Sequence, residues 1–214
     1  MTNEESKKFN REAIRQRVSL AEKKARLQDG ALEAIGRRGL ASTSTRDIAE
    51  AAQQNLAAIH YAFDNKDELL ASLPFRLREQ VSQVLVDAAE PATSFSEAIQ
   101  LATDAYWQHV VAEPHLQKAH YELTLFALSS GQDRAVAAEQ YGGYLDVINS
   151  LIKKHGREEK SLALTRTCLA LMDGIILQFL ATDDEIACRE ALSLGISALI
   201  SLHGAGTNNP KSYS

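Results

Sequence analysis

Apolar positions along this chain recur mainly at three- and four-residue steps, the period of an amphipathic helix. Over residues 7–38, Ile14, Val18, Ala21 and Ala25, then Leu27, Ala31, Leu32 and Ile35, mark one such face. Gly39 follows the basic pair Arg37-Arg38, where a helix C-terminus needs a residue tolerant of positive φ. The hydroxyls of Ser42, Thr43, Ser44 and Thr45 can cap a short helix over 45–52. A polar break, Gln53-Gln54-Asn55, separates it from another short piece over 56–63, for which Asn55 is the expected cap. Asn65, with Asp67 and Glu68 in the first turn, starts a fourth helix towards residue 90, and Pro74 should kink it. Helices over 95–112, 115–128 and 132–155 follow, the second opened by Pro114.

The last third changes character. Residues 162–180 and 186–200 are apolar around most of their circumference, with Asp183 and Asp184 able to cap the second stretch. Helices of this kind must be covered on several sides. A two-fold helix-to-helix subunit interface answers that need, built from Leu169, Met172, Ile176, Phe179, Leu192, Ile196, Leu199 and Ile200. No segment shows a strand period. The expectation is an all-α fold of about nine helices. A three-helix helix-turn-helix domain over 1–66 would precede a larger antiparallel bundle over 67–204, and 205–214 would be a disordered tail.

Composition supports this picture without adding much to it. The 214 residues are 45% hydrophobic and 24% charged, and the 11 glycines and 4 prolines are too few for a turn-rich β fold. No uninterrupted apolar run reaches the ~18 residues that span a bilayer. The N-terminal residues lack a signal-peptide core, so a cytoplasmic protein with no membrane partner is expected. Cys168 and Cys188 form no metal or redox motif.

Charge is more informative once divided. The net value is −5, yet residues 6–46 hold 11 basic against 4 acidic side chains. A basic head on an acidic body suits a chain that meets phosphates at one end, although a solvated helix face reads the same way. Two short helices joined by a three-residue break behind a long basic helix form a helix-turn-helix candidate. In such a unit the second helix enters the major groove.

The stretch Gly39-Leu-Ala-Ser-Thr-Ser-Thr-Arg-Asp-Ile-Ala-Glu-Ala-Ala52, followed by Ile59-His-Tyr-Ala-Phe-Asp-Asn-Lys-Asp-Glu-Leu-Leu70, resembles the N-terminal domain of TetR-family transcriptional regulators. The likeness runs through residues 27–70, and the helices beyond it fit that family's variable effector-binding and dimerisation domain by layout. It implies a homodimeric regulator of double-stranded operator DNA, most often a repressor released by a small-molecule effector.

The resemblance places Thr43 as a cap or phosphate contact, and Thr45 and Arg46 in the first turn that touches backbone or base. It places Asn55 and Leu56 at the start of the recognition helix, Leu56, Ala57, Ala58 and His60 on its exposed face, and Tyr61 and Lys66 against phosphate. Leu27, Ala31, Ile35, Ile48, Ala49, Ala52, Ile59, Phe63 and Leu69 match the small domain's core. The family's usual Gly-Val in the turn is Gln53-Gln54 here, which removes a residue suited to positive φ. That departure motivates an alternative: a ligand-binding or interaction protein with a degenerate helix-turn-helix and weak DNA specificity.

Tyr106, Trp107, His109, Tyr121, Phe126 and Tyr144, with Met172 and Gln178 further on, are the candidates to line an effector pocket; aromatics at helical spacing equally make plain core. His109, Glu113, His115 and His120 raise metal binding, but Pro114 interrupts their helix and no third ligand is well placed. No phosphate loop or nucleophile elbow occurs, so no metal, no cofactor and no enzymatic activity are expected.

Overall fold

The computed structural model describes residues 3–129, 134–155 and 161–205, and the side chains of 19–129, 134–154 and 162–202. Among the described residues there are nine α-helices and no strand. They are α1 (Asn3–Arg38), α2 (Thr45–Ala51), α3 (Leu56–Ala62), α4 (Lys66–Ala89), α5 (Phe95–Ala112), α6 (Pro114–Ser129), α7 (Arg134–His155), α8 (Ser161–Thr182) and α9 (Glu185–Ala205). A 3-10 turn, Leu40–Ser42, joins α1 to α2. The expected tail beyond residue 205 and most of the expected 129–131 loop lie outside the described residues.

Local chemistry sets the helix starts. Asn55 accepts from Ala58 N–H at 2.9 Å and Asn65 from Glu68 N–H at 2.8 Å, as their positions predict. At α2 the cap is Ser44. Its hydroxyl accepts from Asp47 N–H at 3.3 Å while the Asp47 carboxylate accepts from Ser44 N–H at 2.8 Å, a reciprocal capping box. Gly39 ends α1 at φ 84, donating to Ile35 O at 2.7 Å.

The reading head's core draws on Leu27, Ala31, Leu32 and Ile35 of α1, Ile48 and Ala49 of α2, and Ile59, Ala62 and Phe63 at α3. It does not stop at residue 66. Leu69, Leu70, Leu73 and Leu77 of α4 belong to it, and so do Ala119 and Leu123 of α6. Arg76 of α4 grips Asp29 of α1 with two hydrogen bonds, at 2.8 and 2.9 Å. Gly36 lets α6 abut α1: a Cβ there would lie 2.1 Å from the His115 carbonyl oxygen. Pro74 sits buried inside an uninterrupted α4.

The body is built on two further clusters. One joins Ile99, Trp107 and Val110 of α5 to Ile175, Ile176 and Phe179 of α8 and to Leu192 and Ile196 of α9. The other joins Val81, Leu85 and Ala89 of α4 to α5 and α7. Five of the residues expected at the subunit interface turn inward. Met172, Ile176, Phe179, Leu192 and Ile196 are buried within the protomer, and Leu169, Leu199 and Ile200 are partly buried against the same cores. Among the described residues, the large apolar side chains that α8 and α9 leave exposed are Leu162, Leu177, Ile186, Leu194 and Leu202. A helix apolar on all sides carries no periodic signal of which face turns inward. By length and composition, residues 162–182 are also long and apolar enough to cross a membrane, although Arg166 and Asp173 interrupt the apolar run. Here that helix packs on α7 and α9 as a core element.

Candidate nucleic-acid interface and ligand cavity

The tight turn between α2 and α3 keeps its left-handed residue although no glycine is present. Gln53 itself adopts φ 51, with its N–H on Glu50 O, and Gln54 N–H reaches Ala49 O at 2.9 Å. The backbone therefore makes the turn that the Gln53-Gln54 departure put in question.

Of the side chains expected to face DNA, Arg46, Asn55, Ala57, His60 and Tyr61 are exposed and Thr45 is half-buried. Arg46 has no ion-pair partner among the described residues, so its guanidinium is free for phosphate or base. Tyr61 is 70% exposed, with the Lys23 ammonium 5.5 Å from its ring centre, which puts a cation and an aromatic side by side on one surface.

Four expectations change. Thr43 is 2% exposed and donates to Gly39 O at 2.8 Å and Ala34 O at 3.3 Å, so it ties the turn to α1 and neither caps α2 nor faces solvent. Lys66 is half-buried and donates to Thr43 O at 2.5 Å, which gives its ammonium a structural role. Leu56 and Ala58 are partly buried against the head's core. The open face of the recognition helix is thus Ala57, His60 and Tyr61, at three- and four-residue steps.

A second site lies in the body. A cavity of about 60 Å3 opens among α4 to α9, lined by Val81, Leu85, Ile99, Thr103, Tyr106, His120, Tyr144, Cys168, Leu169, Met172, Asp173 and others. Tyr106, Tyr144 and Met172, expected to line an effector pocket, do line this cavity. Trp107 is not: it is fully buried and meets Phe179 edge-on at 5.4 Å in the neighbouring core. His109 is half-buried on the Tyr106 ring outside the cavity lining, while Phe126 and Gln178 are exposed elsewhere. Tyr121 stands behind the wall, its hydroxyl 3.3 Å from Asp173 Oδ1.

Sequence reasoning missed Asp173. The signal was present: it is the lone acidic residue in 162–180 and sits within the apolar stretch 168–177. Its carboxylate accepts from Tyr121 at 3.3 Å and from Tyr141 at 3.2 Å, and burial raises its pKa above the ordinary 3.8. Burial likewise pushes the Tyr141 phenol up to about 12, so it stays a donor. His120 was weighed as a metal ligand, but it lies deep in the wall. Its Nδ1 is 3.0 Å from Gln140 Nε2 and 3.4 Å from the Tyr144 hydroxyl, and desolvation lowers its pKa to about 4, leaving a neutral ring at pH 7. His115 pairs instead with Glu33 and Glu113. Among the described residues no His/Cys/Asp/Glu group suited to a metal ion forms.

An exposed helix-turn-helix on a helical body is the architecture of a DNA-binding regulator, and the body's cavity leaves room for a ligand. The comparisons with known proteins make this specific. The profile of bacterial regulatory proteins of the tetR family matches residues 27–73, and that of the tetracyclin repressor-like C-terminal domain matches residues 76–201. The chain belongs to the TetR family and is a DNA-binding transcriptional regulator. It is 27% identical over 176 residues to the HTH-type nicotine-responsive transcriptional repressor HdnoR of Paenarthrobacter nicotinovorans, covering 79% of this chain and 89% of that protein. Among solved structures, the multidrug binding protein EbrR complexed with imidazole matches with TM-score 0.57 at 27% identity, over 81% of this chain and 89% of that one. A TetR-family regulator from Rhodococcus sp. matches with TM-score 0.71 at 18% identity, over 86% and 99%, and shares the fold.

Proposed function

We propose that this protein is a homodimeric repressor that holds operator DNA when its cavity is empty and releases it when a small organic molecule enters. The observation that carries this reading is that two helices each serve both sites. α4 places Leu69, Leu70, Leu73 and Leu77 in the head's core and Val81 and Leu85 in the cavity wall. α6 places Ala119 and Leu123 in the head and His120 in the cavity wall. A ligand that prefers one setting of α4 and α6 therefore shifts the population of head positions, and with them the spacing of the two recognition helices.

Dimerisation supplies the second half-site. Exposed Leu177 on α8, with exposed Ile186 and Leu194 on α9 and the partly exposed Leu199 and Ile200, offers apolar surface for it. Arg46, His60 and Tyr61 then meet the DNA. Responsiveness of HdnoR to nicotine supports a small organic effector for this chain, at the level of a compact molecule. A gel-shift against the DNA flanking the protein's own coding region tests the reading. Specific retardation, reversed by a molecule that also raises thermal stability, is expected. Equal affinity for flanking and random DNA at low salt would overturn it.

A further inference from the structure

Among the described residues Asp173 is the one carboxylate on the cavity lining, which holds no Lys or Arg, and burial leaves the His120 ring neutral at pH 7. Among the described residues it has no ion-pair partner. Arg78 of α4 lies outside the lining, against Gly143 and with its guanidinium 5.4 Å from the Phe75 ring centre. A carboxylate offers about four lone-pair positions. Two are met by neutral phenols, Tyr121 and Tyr141, at the long distances of 3.3 and 3.2 Å. A buried carboxylate with so few partners gains from a cation at the same spot, which favours its ionised form and fills its open lone pairs.

The rest of the wall has the chemistry for such a guest, and a guest of benzyl size exceeds the about 60 Å3 present, so its entry requires the wall helices to move apart. Tyr106 and Tyr144 present ring surface, Met172 a polarizable thioether, and Val81, Leu85 and Ile99 apolar bulk. An anion would meet Asp173 with no countercharge, and a strongly hydrated metal ion would find one carboxylate and phenols in place of an oxygen shell.

We propose that the cavity selects a small organic cation, a protonated amine or ring nitrogen on a compact apolar frame, with its N–H on Asp173 and its carbon skeleton between Tyr106 and Tyr144. This deepens the ligand-responsive reading above and rests on the same cavity being the effector site. One charge-assisted hydrogen bond to Asp173 is expected to favour the cation over a neutral isostere by about tenfold.

Calorimetric titration of the full chain with benzylamine, benzyl alcohol and benzoate at pH 7 measures this directly. Benzylamine should bind at least about tenfold more tightly than benzyl alcohol, and benzoate should not bind. In Asp173→Asn, which preserves shape, the amine's advantage should vanish while benzyl alcohol binds as before. Tyr141→Phe, which keeps the charge and removes one phenol from it, should retain the preference for the amine. Equal binding of amine and alcohol, an unchanged preference in Asp173→Asn, or no binding of benzylamine at millimolar concentration would overturn the proposal. Operator release is read in a separate gel-shift. Asp173-dependent amine binding without release would leave the cation site standing and sink the induction reading. Release by neutral molecules alone would do the reverse.

Discussion

The Glu122 carboxylate on α6 accepts the backbone N–H of Leu40, 82 residues earlier, and so holds the body to the turn that leads into the reading head. It is a part-buried bond to an otherwise free backbone donor, and its loss strands that donor. Glu122→Ala should lower unfolding stability by about 1–3 kcal/mol in urea titrations. It should also change the ligand concentration needed to release DNA, because α6 then couples less firmly to the head.

Gln53 occupies the left-handed region at φ 51, which costs a side chain about 1–2 kcal/mol. Glycine removes that cost but adds about 0.5–1 kcal/mol of chain entropy to the unfolded state. Gln53→Gly should therefore stabilise by up to about 1 kcal/mol, seen as a higher urea midpoint at unchanged slope. A loss of stability would show that the turn differs from the one described.

Arg46 and Lys66 should separate cleanly. Exposed and unpaired, Arg46 can be removed with little effect on folding, within about 0.5 kcal/mol. Arg46→Ala should still weaken DNA binding by about tenfold and lower its salt dependence. Lys66 holds the Thr43 carbonyl at 2.5 Å, so Lys66→Ala should cost about 1–2 kcal/mol of stability as well. Paired denaturation and gel-shift series on the two variants would reveal the difference.

Burial takes His120 from 6.5 down to about 4, so between those values the unfolded chain binds a proton that the folded protein does not. The stabilising contribution is complete above pH 6.5 and is lost as pH falls through about 4, on the order of 3 kcal/mol in all. Asp173, raised above 3.8, acts oppositely, because its folded form takes up a proton first as pH falls. His120→Asn should flatten stability between pH 6.5 and 4, read from thermal midpoints across that range.

Neighbouring residues on α8 should give opposite outcomes. Ile176 is 1% exposed and Leu177 is 49% exposed. Ile176→Ala should cost about 2–5 kcal/mol of folding stability. Leu177→Glu combined with Leu194→Glu should leave the fold intact and yield a monomer by analytical ultracentrifugation, with cooperative operator binding lost. A dimer that survives the double change would place the interface elsewhere.

Much of the architecture was legible because it is local. Asn55 and Asn65 sit where a cap must sit, Gly39 where α1 must end, and α1 to α6 follow from period and punctuation alone. The reading-head residues followed from the motif, except where a side chain turned inward. Thr43 and Lys66 bond across the head to partners that sequence spacing does not announce, Thr43 to Ala34 O and Lys66 to Thr43 O.

By itself, then, the sequence determined an all-helical chain with a basic helix-turn-helix at one end, because capping, periodicity and charge act within a few residues. Tertiary structure alone decided three things: the inward faces of α8 and α9, the isolation of Asp173 between Tyr121 and Tyr141, and the bond from Glu122 to Leu40. Each depends on which surfaces meet. A helix apolar all round, or a lone acid within one, specifies its neighbours only once the chain has packed.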